Sequence, residues 1–331
     1  MRLAGAIAVV WLVVHPARAQ GIWSAAVDPR AARTAALAEA VERMLYRADE
    51  SFPSLSLQRQ FTLGALALLE ASGGTTSTDP KLQFLYGRAL ASPWARQPHA
   101  AISALSLALE SSPASPFVGE ALYHLGVSAA CAGDLERAGL AFRRALQGLW
   151  QPALRAQALL ESGETSLARG DVRAAVAAFE EAAQMAPNKR LRGIAYYGLA
   201  ATLDRAGMPR QALEAAGIAL AIRLPTRYYG AADVLDLPAL GCDLLPGERV
   251  FRRALANTAG ALTEASDDRR QELLDTAAAG WSSYLDIQGI DSMSRRRAAR
   301  RLQQAKKALL DLELRQGHDE VAAATTSPAA Q

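Results

Sequence analysis

The sequence predicts an all-α fold: a solenoid of stacked helix-turn-helix repeats, with helical caps at both ends. Three observations favour it. Half of the residues are apolar but only 6% are aromatic, an alanine-rich composition typical of closely packed helices. Small and bulky apolar residues recur at a fixed interval along the middle of the chain. Glycines recur between them at the same interval, as expected of a repeat architecture.

The first segment, residues 1–19, has the pattern of a secretory signal peptide. It begins with the cation Arg2, continues with the apolar run Leu3–Val14, and ends with alanines spaced for cleavage after Ala19. The run is shorter than the roughly 20 residues that a helix needs to cross a bilayer, which favours cleavage. We therefore expect a periplasmic or secreted protein, although retention of the signal as an anchor stays open.

Residues 20–80 are predicted to form an N-terminal helical cap. Asp28 is followed by proline, which is favoured at the first helical position, and the helix is expected to run to about Tyr46. A second helix is expected from about Leu55 to Ala71, where two glycines follow. Such helices cover the apolar face of the first repeat.

The repeat region is predicted at residues 81–225. Ala138, Phe142 and Ala145 share one helical face, because their spacing matches the helical period. The same small-bulky-small pattern recurs at intervals of 37 residues. The other sets are Ala101, Leu105 and Ala108; Ala175, Phe179 and Ala182; and Ala212, Ala216 and Ala219. We expect each set to lie in the second helix of a repeat.

Glycines are predicted to separate the two helices of each repeat. Gly133, Gly170 and Gly207 share the same spacing, and glycine ends a helix by taking a left-handed conformation that other residues resist. Asp134 and Asp171 follow two of these glycines and are expected to cap the next helix. The Arg-Gly-Asp tripeptide that ends at Asp171 could also be a cell-adhesion ligand. Because Gly-Asp recurs in the preceding unit, we favour a turn.

These residues resemble the tetratricopeptide repeat (TPR), a helix-turn-helix unit of about 34 residues. Four units fit, at residues 81–113, 119–150, 156–188 and 193–225. The third matches best, with Gly163, Phe179 and Pro187 at the positions of the family pattern. The stretch Pro113–Gly126 also resembles repeat junctions in bacterial periplasmic TPR proteins. The resemblance implies a right-handed α-α superhelix that serves as a protein-binding scaffold, without naming a partner.

Beyond the repeats the period fails. Residues 226–247 are predicted to be an irregular connector, because prolines and glycines interrupt them. The C-terminal region, residues 248–316, is expected to contain three helices, near 248–265, 268–287 and 292–316. The middle one carries Ala277, Trp281 and Tyr284, which resemble a degenerate repeat helix. Residues 317–331 have little apolar content and are expected to be disordered.

The two cysteines leave two possibilities open. Cys131 lies late in a predicted helix and Cys242 lies in the connector. An oxidising compartment would permit a disulfide between them. Because neither context singles out a partner, we expect two small, mostly buried thiols.

The sequence carries no enzyme signature. It lacks the CxxC, HExxH, GxSxG, phosphate-loop and dinucleotide patterns. The histidines beyond the predicted signal, His99, His124 and His318, are scattered. We therefore expect a noncatalytic protein with no cofactor and no metal. The chain has 36 basic and 33 acidic residues, a net charge of +3, which gives no support for nucleic-acid binding.

In the TPR family the first helix of each unit forms the concave face, so the resemblance implies that a protein or peptide partner binds there. The expected contact residues are Phe84, Arg88, Tyr123, Val127, Leu160, Glu164 and Tyr197. Aromatic rings with flanking charges suit peptide capture. Ordinary packing between helices is an equal alternative for the three aromatic residues. The pattern by which some TPRs clamp a terminal carboxylate is missing, since Arg88 and Glu161 stand at two of its places.

A basic cluster at Ser294–Lys307 is the second candidate surface. It could bind lipid headgroups or cell-wall polymer through Arg295, Arg296, Arg300, Lys306 and Lys307. The alternative, which we favour, is a solvated helix face opposite an apolar stripe. That stripe consists of Ala298, Leu302, Ala305 and Leu309. The sequence thus predicts an exported scaffold of the bacterial envelope, with polymer or lipid binding as the second possibility.

Overall fold

The computed structural model describes residues 29–50, 54–224, 233–236 and 241–326. Within these ranges the chain forms thirteen α-helices, two short 3-10 turns and no strand. The helices are α1 (Pro29–Glu50), α2 (Leu55–Ala71), α3 (Pro80–Ala91), α4 (Pro98–Ser111), α5 (Val118–Cys131), α6 (Leu135–Gly148), α7 (Pro152–Ala168), α8 (Val172–Met185), α9 (Lys189–Arg205), α10 (Pro209–Ala221), α11 (Glu248–Thr263), α12 (Asp267–Asp286) and α13 (Ser292–Thr326). The predicted signal peptide, residues 1–19, lies outside the described residues.

The helices stack as consecutive pairs. Each helix packs against the next one along the chain, from α1 to α13. The odd-numbered helices from α1 to α11 also pack against one another in order, and they therefore form an inner row, with the even-numbered helices outside it. The all-α, TPR-like superhelix predicted from the sequence is confirmed.

The small-bulky-small sets form the core between the two rows. All twelve residues of the four sets are no more than 1% exposed. The ring of Phe142 lies against Gly126, and the ring of Phe179 lies against both Gly163 and Gly198, where an added Cβ would overlap the ring. The glycines therefore let neighbouring helices approach closely enough to enclose a large side chain.

The turns inside the repeats have the predicted chemistry. Gly133, Gly170 and Gly207 have φ angles of 84°, 80° and 78°, in the left-handed region that favours glycine. The carboxylates of Asp134 and Asp171 each accept a hydrogen bond from the backbone N–H three residues later, at 3.0 and 3.1 Å. Gly-Asp is therefore a turn and N-cap in both units.

The stack continues past the four predicted repeats. α11 packs against α9 and α10 as the first helix of a further repeat would. α12 buries Ala277, Trp281 and Tyr284, and Trp281 meets Phe251 of α11 edge to face with ring centroids 5.1 Å apart. α11 and α12 thus add one more helix pair to the superhelix.

The two ends of the stack are helical. α1 and α2 pack on α3, and α1 runs to Glu50, a little beyond the expected end near Tyr46. α13 packs on α12 and runs to Thr326, so the disorder predicted from residue 317 is wrong for residues 317–326. This stretch is rich in alanine, a strong helix former, and it extends a helix that has already begun. Residues 327–331 lie outside the described ranges.

Cys131 and Cys242 form a disulfide, so the expectation of two thiols is wrong. Their Cα atoms are 5.4 Å apart although 111 residues separate them in sequence. Cys131 ends α5, and the connector returns to the inner row to meet it. The sequence could not predict this pairing, because the connector has no periodicity from which its path could be inferred.

Candidate functional site

The inner row borders an open groove with a volume of about 550 Å³. Its walls come from α1, α2, α3, α5 and α7, with one residue from α9. Residues of α5 at helical spacing, Glu120, Tyr123 and Val127, line the groove together because they share one helix face. The groove therefore crosses several repeats on the side that the family resemblance implied.

Apolar and aromatic side chains stand at the edge of the groove. Tyr46 of α1 is 60% exposed and Leu55 of α2 is 38% exposed. Trp94, in the loop after α3, lines the groove and is half-buried. Exposed rings beside a concave surface can bury substantial area against a ligand.

The centre of the groove holds a group of interacting charges. The Arg88 guanidinium lies between the carboxylates of Asp49 and Glu120, 2.8 Å from the latter. His124 Nε2 is 3.7 Å from the same Glu120 carboxylate. Burial acts to raise the pKa of Glu120, but the hydrogen bond with His124 and the charge of Arg88 outweigh it and lower that pKa. The centre is therefore polar, with one guanidinium between two carboxylates.

Tyr123 forms part of the groove wall, and most of its side chain is buried. It is 5% exposed, and its hydroxyl donates a hydrogen bond to Gln157 Oε1 at 3.4 Å. Burial, followed by the charge of Glu161, raises its pKa, so the phenol stays protonated. A partner would contact its edge and the polar atoms around its hydroxyl.

The chain itself covers the other part of the inner face. The Tyr197 hydroxyl of α9 donates hydrogen bonds at 3.1 Å to both carboxylate oxygens of Asp233 in the connector. On α7, Glu164 pairs with Arg252 of α11 at 2.8 Å. The backbone of Gly241 lies against the Glu161 carboxyl, where an added Cβ would overlap Oε2.

A buried ion network fixes α11 to the inner row. Glu248 is 6% exposed and pairs with Arg205 at 2.6 Å and with Arg252 at 3.0 Å. Burial acts to raise the pKa of Glu248, but the two arginines outweigh it and lower that pKa to about 2. Arg205 also lies over the Phe251 ring, 4.8 Å from its centroid. Each charge of the network has a partner of opposite sign, and these ion pairs hold α11 against α7 and α9.

Glu161 is a buried carboxyl whose pKa is raised, whereas the pKa of Glu248 is lowered. It is 5% exposed and borders a small cavity of about 70 Å³ between α7, α9 and the connector. Burial, and then the charge of Glu164, raises its pKa to about 8. Glu161 is therefore held as a neutral acid at neutral pH.

The structure separates the seven predicted partner-binding residues into three places. Arg88, Tyr123 and Val127 line the open groove. Leu160 and Glu164 border the small cavity under the connector, and Tyr197 bonds to the connector. The seventh, Phe84, is 3% exposed and stacks on Phe117 with centroids 4.8 Å apart.

Sequence reasoning missed Tyr46 and Trp94 at the edge of the groove. Tyr46 lies in the predicted cap, and Trp94 lies in the loop between the two helices of the first repeat. Neither belongs to the repeat pattern that selected the other candidates. An aromatic residue at the exposed end of a predicted helix was the available signal for Tyr46.

The basic cluster of α13 is only partly available at the surface. Arg295 donates hydrogen bonds to the backbone carbonyls of Leu285 and Ile287 at 2.7 and 2.8 Å. Two further arginines are also engaged: Arg297 with a backbone carbonyl and Arg301 with the carboxylate of Asp204. The exposed cations are Arg296, Arg300, Lys306 and Lys307. Leu310 and Leu314 are 55% and 56% exposed, and helical spacing places them on the side of Arg296, Arg300 and Lys307.

No group of three or more His, Cys, Asp or Glu side chains in the described ranges could hold a metal ion. No helix in those ranges is long and apolar enough to cross a membrane.

No protein-family model and no curated protein matches the chain. Among solved structures, the chain is similar to the TPR domain of P58(IPK), with 16% sequence identity over 86% of this chain and 69% of that chain. The TM-score is 0.31, too low to support an argument from that protein to this one. The chain has a TPR-like fold. Its helix pairs stack in order and its repeat residues are buried between them, as in such a fold.

Proposed function

We propose that this protein is an exported, noncatalytic TPR-like scaffold of the bacterial cell envelope, which holds an extended segment of a partner protein in the open groove. The observation that carries the proposal is the groove itself, about 550 Å³ in volume. It crosses the inner row from α1 to α7 and holds no segment of the described chain. TPR-like scaffolds offer this face to their partners.

The lining of the groove indicates how a segment would bind. Tyr46, Leu55 and Trp94 offer apolar area at the edge, which would supply most of the affinity. Arg88 is one cation between two carboxylates, Asp49 and Glu120, so these groups would orient the polar groups of a ligand and disfavour an acidic one. A partner segment with aliphatic or aromatic side chains and uncharged polar groups fits this lining.

Two observations support an exported location. Residues 1–19 have the pattern of a signal peptide. Cys131 and Cys242 are paired, and disulfides persist mainly in oxidising compartments. Cell fractionation and N-terminal sequencing of the mature chain test this part of the proposal, which expects cleavage after Ala19.

The groove can be tested with a matched pair of variants. Photo-crosslinking and affinity capture from an envelope extract would compare wild type with the double variant Tyr46→Ala, Trp94→Ala. Leu140→Ala is the control, since Leu140 is 50% exposed but lies on the outer helix α6. We expect the double variant to lose the partner while the control keeps it. Equal capture by all three proteins would contradict a role for the groove.

A second candidate is contact with anionic lipid or cell-wall polymer through α13. It is favoured by the exposed Arg296, Arg300 and Lys307 on one side of the helix with Leu310 and Leu314, a pattern suited to a membrane interface. Cosedimentation with anionic liposomes or sacculi should weaken as salt rises. Absent or salt-insensitive sedimentation would exclude this candidate.

A further inference from the structure

The connector is an insertion that the helix stack does not need. α10 and α11 pack against each other as adjacent repeat helices do, yet residues 222–247 separate them in sequence. Elsewhere the chain passes from one repeat to the next through short links, at residues 149–151 and 186–188. The inner and outer rows would therefore be continuous without the connector.

The described end of the connector, residues 241–247, returns to the inner face and will be called the returning segment. Leu244 packs with the N-terminal part of the core and Leu245 with the C-terminal part. Gly241 lies against Glu161 of α7, and Cys242 is bonded to Cys131 of α5. The segment thus occupies the part of the inner face next to the open groove, where a partner segment would otherwise lie.

The returning segment has noncovalent contacts mainly after Cys242, where Asp243 pairs with Arg249 at 3.2 Å and Gly247 lies close to Tyr284. Leu244 and Leu245 are only half-buried. Beneath Gly241 lies the Glu161 carboxyl, which is 5% exposed, and burying a carboxyl group is unfavourable. At the start of the segment, the covalent bond at Cys242 is what ties it to α5. Cys242 is exposed, so a reductant can reach the bond.

We propose that the Cys131–Cys242 disulfide holds the returning segment on the inner face, and that reduction releases it and uncovers a second partner-binding surface. That surface is formed by Leu160 and Glu161 of α7 and Ile194 of α9, which now border the cavity beneath the segment. It extends the open groove along the inner row. This inference rests on the proposed use of the inner face for partner binding.

The uncovered surface fits a partner segment with the chemistry of the returning segment itself. A glycine is needed against Glu161, because a Cβ would overlap the carboxyl. Two aliphatic side chains would follow at the positions of Leu244 and Leu245. The ligand class is thus an extended peptide in which glycine precedes leucines.

The release is an ordinary thiol–disulfide exchange with a dithiol reductant. A thiolate of the dithiol attacks one sulfur of the Cys131–Cys242 bond, forming a mixed disulfide and freeing the other cysteine as a thiol. The second thiol of the reductant then displaces the remaining cysteine. The dithiol ends as a disulfide, and its two hydrogens end on Cys131 and Cys242.

Binding of a labelled peptide tests the second surface. The probe is the sequence of residues 241–247 carrying Cys242→Ser, and its fluorescence anisotropy is followed with oxidised full-length protein, with protein reduced by a dithiol and then alkylated, and with Cys131→Ser. We expect binding at least 10-fold tighter to the reduced protein and to the variant than to the oxidised protein. Ile194→Asp in the reduced protein should abolish it. Equal binding in both redox states, or none in either, would overturn the second surface.

Hydrogen exchange tests the release directly in the same samples. Backbone amides of residues 241–247 should exchange faster after reduction and in Cys131→Ser, while those of α5 and α9 stay protected, which also shows that the stack remains folded. Unchanged exchange in the returning segment would overturn the proposal. The Tyr46 and Trp94 variants act on the open groove, so failure of the scaffold proposal and failure of this one can be distinguished.

Discussion

Replacing Glu161 with glutamine is expected to stabilise the protein, by a margin that grows with pH. Glu161 is 5% exposed. Burial, followed by the charge of Glu164, raises its pKa from 4.5 to about 8; Arg252 opposes this shift and Asp243 adds to it. Between those two pH values the folded protein keeps a proton on Glu161 that the unfolded chain has lost.

The proton that Glu161 keeps in the folded state determines how the free energy of unfolding changes with pH. At pH values below 4.5 the carboxyl is protonated in both states, so it adds no pH dependence. As pH rises from there to about 8, each unit lowers the free energy of unfolding by about 1.4 kcal/mol, with an upper limit of about 5 kcal/mol for the whole window. Even about 1 kcal/mol would move the melting temperature by about 2 °C. Glutamine keeps the shape of the side chain and removes this dependence.

Thermal unfolding, followed by circular dichroism from about pH 5 to about pH 8, measures the effect. Glu161→Gln should melt close to wild type at the acid end and progressively above it towards the alkaline end. Glu180→Gln is the control, because Glu180 is exposed on α8, and its curve should run parallel to wild type. A gap that is constant with pH, or that shrinks as pH rises, would refute the conclusion that Glu161 is buried as a neutral acid.

Three further predictions concern the stability of the stack. Phe179→Ala should lower the free energy of unfolding by about 3–5 kcal/mol, because it empties a fully enclosed site; urea titration measures this, and a loss below about 1 kcal/mol would contradict the packing. Asp171→Ala should cost about 1 kcal/mol through loss of the N-cap, whereas Asp171→Asn should cost less in the same titration. Cys131→Ser should cost about 2–4 kcal/mol without reductant, and the deficit should vanish when wild type is reduced.

The repeat core could be predicted because its signal is local and periodic. Phe142 and Phe179 repeat at a fixed spacing between alanines, and a single helix face explains that spacing. The turns could be predicted equally well, because Gly170 followed by Asp171 indicates a residue in the left-handed conformation and then a helix N-cap. Each of these features depends on residues within one or two turns of helix.

The site was less predictable because its geometry depends on contacts distant in sequence. Glu164 was expected to face a partner, but Arg252, 88 residues later, pairs with it. Tyr197 was expected in the groove, but its hydroxyl donates a hydrogen bond to Asp233 of the connector. No periodicity in the sequence relates these partners. The open and covered parts of the inner face could therefore be distinguished only from the structure.

Phe179 contacts more than its own repeat, and this has a consequence for the shape of the superhelix. Its ring lies against Gly163 of α7 and Gly198 of α9, so a single side chain sets the separation between two successive inner helices. A smaller residue there would let α9 move towards α7 and tighten the local bend, whereas a side chain added at Gly198 would push the two apart. The curvature of the inner face is thus adjustable from one fully buried position.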